Sequence, residues 1–85
     1  MKQRSSNNLD IEIRVKNVIA KVVNKKPEDI SLDHDLMRDL AVDSIDAIEC
    51  VAAIEEEFHL DALYEKGYDI RTIQDIVNHI KRKQG

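Results

Sequence analysis

The 85-residue chain predicts an all-α domain. Three observations carry that expectation. Two glycines and one proline are too few for the many turns of an all-β fold. Apolar residues recur at helical spacing in three stretches. Each stretch follows a residue suited to start a helix: Asn7 or Asn8, Asp43, and Thr72. With 42% hydrophobic and 35% charged residues the chain reads as globular, and its length allows one core.

The first helix is expected from about Leu9 to Val23. Ile11, Val15, Val18 and Val22 share one face, and Ile19 and Val23 widen that stripe. Asn24 suits the position just past the end, because asparagine tolerates the left-handed conformation. Lys21, Lys25 and Lys26 favour the negative end of the helix dipole. Residues 1–8 read as a flexible N-terminal segment. Pro27 to Val42 is a long connection that opens on Pro27-Glu28-Asp29, a turn or one helical turn with proline first. Ile30, Leu32, Leu36, Met37 and Leu40 are too many apolar residues for a free linker, so this loop is expected to pack on the core.

The second helix lies in "LAVDSIDAIECVAAIEEEF", residues Leu40 to Phe58. It is expected to start at Asp43 or Ser44, with Asp43 as N-cap and Asp46 completing a capping-box-like pair. Ala47, Val51, Ile54 and Phe58 form an inward stripe. Ile45, Ile48 and Ala52 form a second stripe, interleaved with Asp46, Glu49 and Glu56 and therefore near the surface. An apolar strip edged by acids suits a partner that brings both basic and apolar groups. Asp61 to Lys66 reads as one or two turns stopped by Gly67. The last helix follows Thr72, with Asp75 three residues on. It buries Ile73, Ile76, Val77 and Ile80 and ends on Lys81, Arg82 and Lys83.

The net charge of −4 hides a strong asymmetry. Residues 31–65 carry eleven acids against Arg38 alone, while the segments on either side are each mildly basic. Such a block repels nucleic acid and anionic membranes and attracts proteins with basic patches. No apolar run approaches the roughly 20 residues of a membrane span. The lone Cys50 allows no internal disulfide, and the basic opening has no apolar stretch after it. A cytoplasmic location is expected.

Ser44 poses the functional question. A serine nucleophile needs a base and an oxyanion stabiliser, and His34, His59 and His79 are scattered along the chain. Cys50, inside the second helix, reads as a small buried apolar residue. Asp33, Asp35 and Asp39 suggest a calcium loop. Arg38 and Ser44, however, occupy the positions where such a loop needs glycine and glutamate, and no metal site is expected. Two readings stay open. "DS" is a helix-start signal alone, or Ser44 is an acceptor of a chemical group. The first turn of a helix favours a phosphate ester electrostatically, although Asp43 and Asp46 oppose it at close range.

The stretch "DLAVDSIDAIECVAAIEEEF" resembles the modification site and second helix of acyl carrier proteins, whose signature is Leu-Gly-x-Asp-Ser-Leu before an acidic amphipathic helix. The likeness extends from "IEIRVKNVIAKVV" to "TIQDIVNHI". It implies one acyl-carrier domain over 1–85, a four-helix bundle with three main helices, a short third helix and a long first loop. It further implies that a separate phosphopantetheinyl transferase moves 4′-phosphopantetheine from coenzyme A onto Ser44, beside the signature residue Asp43. The arm's thiol would then hold an acyl group as a thioester. By position, Ile45, Asp46, Glu49, Ala52 and Glu56 would dock acyl-transferring and chain-elongating enzymes through their basic patches. Leu36, Leu40, Val51, Ile54, Ile70 and Ile76, on inward stripes or the packed loop, would line an acyl pocket.

The first functional reading is a monomeric, non-enzymatic carrier of fatty acid or polyketide synthesis. An aminoacyl carrier on the same fold and an unmodified helical adaptor are the alternatives. The chain departs from the pattern at four places. Ala41 replaces the signature glycine, and a positive φ there would cost about 1 kcal/mol. Ile45 replaces the leucine after the serine. Ala52 stands where a larger apolar residue is common. Ala62-Leu63 replaces the isoleucine-proline pair that often opens the third helix, which gates the acyl pocket in this family, and Gly67 interrupts that helix.

Overall fold

The structure, a computed structural model, describes residues 8–60 and 70–84. Within them the chain forms three α-helices, α1 (Asn8–Val23), α2 (Ser44–Phe58) and α3 (Ile73–Gln84), with a single 3-10 turn at Pro27–Asp29. No strand occurs among the described residues, only an isolated antiparallel bridge between Asp35 and Thr72. The short helix expected over Asp61–Lys66, which would complete a four-helix bundle, lies outside the described residues.

α1 packs on both α2 and α3. Its fully inward line is Ile11, Val15 and Ile19, with Ala20 beside it, whereas Val18, Val22 and Val23 are only partly buried. The expected stripe is therefore displaced, because a helix touching two neighbours buries the line between them most deeply. Asn24 closes α1 at φ 61°, and the Lys25 N–H donates to the Ala20 carbonyl at 2.8 Å. That is the left-handed helix end asparagine permits. α1 is also tied to α2 by Arg14. Its guanidinium reaches the Glu57 carboxylate at 3.0 Å and the Glu57 carbonyl at 3.0 Å, and stacks 4.3 Å from the Phe58 ring centroid.

The long loop buries Ile30, Leu36, Leu40 and Val42, with Leu32 partly buried, but Met37 is 59% exposed. The expectation that Met37 packs inward is thereby corrected. The cause is a tight turn around Asp35, whose Oδ1 accepts the N–H groups of both Met37 and Arg38 at 2.9 Å. The Asp39 carboxylate accepts the Asp35 N–H at 2.7 Å. The two aspartates thus serve as turn-makers. The loop then lies across the start of α3. Leu36 N–H donates to the Arg71 carbonyl, Ile73 N–H to the His34 carbonyl, and Gln74 N–H to the Leu32 carbonyl.

In the core, Ile54 and Cys50 of α2 are fully buried, as are Ile73, Ile76, Val77 and Ile80 of α3. Burial pushes the Cys50 thiol up to about 11, and the charges of Asp46 and Glu49 push the same way. A thiol held in that state is a packing residue rather than a nucleophile.

Candidate functional site

The site is the start of α2. Ala41 stands in the left-handed region at φ 57° and turns the chain toward the helix. Val42 is buried and its N–H donates to the Leu36 carbonyl at 2.9 Å, which anchors the approach. Asp43 caps the helix, its Oδ1 accepting the Asp46 N–H at 2.8 Å. Ser44 comes next, as the first helical residue, and is exposed. One buried residue two positions earlier thus fixes an accessible hydroxyl.

No histidine is arranged as a base for that hydroxyl among the described residues. His34 Nδ1 accepts the Ser31 N–H at 3.0 Å. His59 ends α2, fifteen residues on, which is about 22 Å along the axis. His79 is buried in α3.

Beside Ser44 an open groove runs between α2, the loop and the approach to α3. Its apolar lining includes Leu36, Ala47, Ile48, Val51 and Ile70. Of the six residues expected to line an acyl pocket, Leu36, Val51 and Ile70 face this groove. Leu40, Ile54 and Ile76 are instead buried in the core. Ala52 and Glu55 line its continuation along α2.

Around the groove mouth, Ile45 and Ile48 are each 68% exposed, and with Met37 they leave large apolar side chains in solvent near Ser44. Asp46 is half-buried, while Glu49, Ala52 and Glu56 are exposed. Glu56 opens on a second groove, between α1 and α2, with Arg14, Lys21 and His59. The docking residues expected from sequence therefore share α2 but not one groove. Ile48 carried a signal, its place on the outward strip suited to a partner, whereas sequence reasoning omitted Met37, Arg38 and Arg71 from the site. Arg71 carried none, because a hydrogen bond across the fold brings it there.

The family profile described as "Phosphopantetheine attachment site" matches residues 14–80. The chain belongs to the phosphopantetheine attachment site family. It is a phosphopantetheine-bearing carrier, a member consistent with the acyl carrier proteins, and its domain is the site of covalent 4′-phosphopantetheine attachment. Carrier domains of this family are generally non-catalytic and work with transferases and other enzymes. The all-helical fold of the described residues fits that family. An attachment residue must be a hydroxyl that an enzyme can reach, with space beside it for a long arm. Ser44 has the exposure and the adjoining groove. No described helix is long and apolar enough to cross a membrane. No described cluster of His, Cys, Asp or Glu is suited to a metal ion.

Proposed function

We propose that Ser44 is the attachment residue and that the protein carries acyl intermediates of fatty acid or polyketide synthesis. The observation that carries this reading is the exposed Ser44 hydroxyl on the first turn of α2, opening onto an apolar groove. In the loading step Ser44 Oγ forms the new P–O bond, the pyrophosphate bond of coenzyme A breaks, and the adenosine bisphosphate portion leaves. The hydroxyl proton goes to a base of the transferase, since no histidine of the described residues is hydrogen-bonded to Ser44. The first turn of α2 then faces a negative group, which its dipole favours.

Once loaded, an apolar acyl tail gains about 0.8 kcal/mol for each CH₂ removed from water. Leu36, Val51 and Ile70 offer the surface for that burial. Docking uses the acids Asp46, Glu49 and Glu56 with Ile45 and Ala52, joined by Met37 and Ile48. Basic patches on partner enzymes read these charges weakly and salt-sensitively, which suits a carrier that must let go. Loading a medium-length acyl chain on the holo protein is expected to raise Tm and to shift the amide resonances of Leu36, Val51 and Ile70. If neither changes, the tail is not sheltered, and short, polar or aminoacyl loads become the reading.

A further inference from the structure

We propose that Arg38 and Arg71 hold the phosphodiester of the 4′-phosphopantetheine arm at the Ser44 end of the groove. This rests on Ser44 being the attachment residue. Arg38 is the single base among residues 31–65, against eleven acids, yet it lines the same groove as Ser44. Arg71 lines that groove from the approach to α3, and no other cation does so among the described residues.

Both arginines are presented from a fixed backbone. The Arg38 N–H donates to Asp35 Oδ1 at 2.9 Å, and the Arg71 N–H donates to Asp75 Oδ2 at 3.0 Å. The Arg71 carbonyl accepts the Leu36 N–H, and the Leu36 carbonyl accepts the Val42 N–H, at 2.8 and 2.9 Å. Three chain segments are thus tied side by side. Leu36 links the Arg71 backbone to that of Val42, two residues before Ser44. Arg71 and Ser44 accordingly line one groove, so a serine-linked phosphate there faces a groove that carries the guanidinium.

The charges agree with this assignment. Asp43 and Asp46 flank Ser44 and disfavour a phosphate, so a cation is needed on the groove side. Asp35 also lines the groove, but its Oδ1 already accepts two N–H groups, and its Oδ2 lies 3.9 Å from Arg71 Nε. The Arg71 side chain stays 65% exposed in that contact. The Arg38 guanidinium forms no ion pair among the described residues. Glu55, the other acid of the lining, is eleven residues from Ser44, about 16 Å along α2. A guanidinium offers phosphate oxygens paired, planar donors that lysine lacks.

The test is ³¹P NMR of the holo protein, wild type against R38Q, R71Q and the double variant. The wild-type phosphodiester resonance is expected to be displaced from that of the double variant and to relax faster, with the single variants between. Added salt is expected to move the wild-type resonance toward the double variant. Lysine at both positions is expected to restore only part of the displacement. A purely structural role would alter Tm or the Val42 and Leu36 amides and leave the phosphorus signal alone. If the double variant does not fold, nuclear Overhauser contacts in the wild type replace it. The methylene protons beside the phosphate should then meet the side-chain protons of Arg38 and Arg71. Identical phosphorus signals, or missing contacts, with the arm in place overturn the arginine pair alone. A wild-type mass with no arm overturns the attachment reading and the pair together.

Discussion

α2 and α3 begin with similar capping chemistry and reach opposite exposures. At α3, Asp75 Oδ2 accepts the N–H groups of Arg71 and Thr72, and the Asp75 N–H donates to Thr72 Oγ1 at 3.1 Å. The loop carbonyls of His34 and Leu32 take the next two donors, Ile73 and Gln74, and Ile73 is fully buried. At α2, Asp43 accepts the Asp46 N–H, and both Ser44 and Ile45 are exposed. The difference lies in what covers the first turn. The loop is laid over the start of α3, while the start of α2 meets solvent and turns inward only at Ala47 and Cys50. One helix start is sealed for stability, and the other is open for reach.

Paired truncations test this contrast most strongly. Ile73→Ala is expected to lose about 2–5 kcal/mol, and Ile45→Ala to stay within about 0.5 kcal/mol. Chemical denaturation checks both. Equal losses would break the contrast. Ala41 sharpens it from the other side. Its φ of 57° suits glycine and its side chain is exposed, so Ala41→Gly is expected to raise stability by about 1 kcal/mol. A loss on that substitution would show that the alanine methyl makes contacts that outweigh its strain.

Acid should loosen the sealed end. The Arg38 N–H bond, with the Met37 N–H and the charges of Arg38 and Arg71 behind it, holds Asp35 below its ordinary value of 3.8 despite burial that pushes it up. A lowered carboxylate pKa contributes stability that is present above the unfolded value and is lost as pH falls through the folded one. Tm should therefore drop below about pH 4, and Asp35→Asn should flatten that drop. An unchanged acid limb in the variant would remove Asp35 from this role.

Much of the fold was legible because local rules decided it. Asp43 and Thr72 marked helix starts and Asn24 marked an end, while the positive φ at Ala41 was signalled by the glycine of the family signature rather than by a local rule. The burial of Ile73, Ile76, Val77 and Ile80 followed from helical spacing. Residues placed by long-range contacts were not legible. Arg14 meets Glu57 forty-three positions away, and Arg71 reaches the groove through Leu36. The exposure of Met37 depends on its own N–H and that of Arg38 both donating to Asp35, which no periodicity announces. Leu40, Ile54 and Ile76 were expected along a pocket, yet an inward stripe cannot by itself distinguish lining from core.

Charge changes at the open end are likewise expected to leave stability nearly unchanged. Reversing Glu49 and Glu56 to lysine is expected to change stability by less than about 1 kcal/mol, since both are exposed. The same double variant should be modified more slowly by a phosphopantetheinyl transferase, as should the wild type at high salt. Unaltered kinetics would move the docking surface elsewhere.

Intact mass after incubation with a phosphopantetheinyl transferase and coenzyme A, on wild type and Ser44→Ala side by side, tests the open helix start most directly. Ser44→Ala is expected to fold like the wild type, because the side chain is exposed and Asp43 supplies the cap. The wild type should gain one phosphopantetheine and Ser44→Ala none. A gain on Ser44→Ala, or no gain on a folded wild type, would contradict the assignment of Ser44.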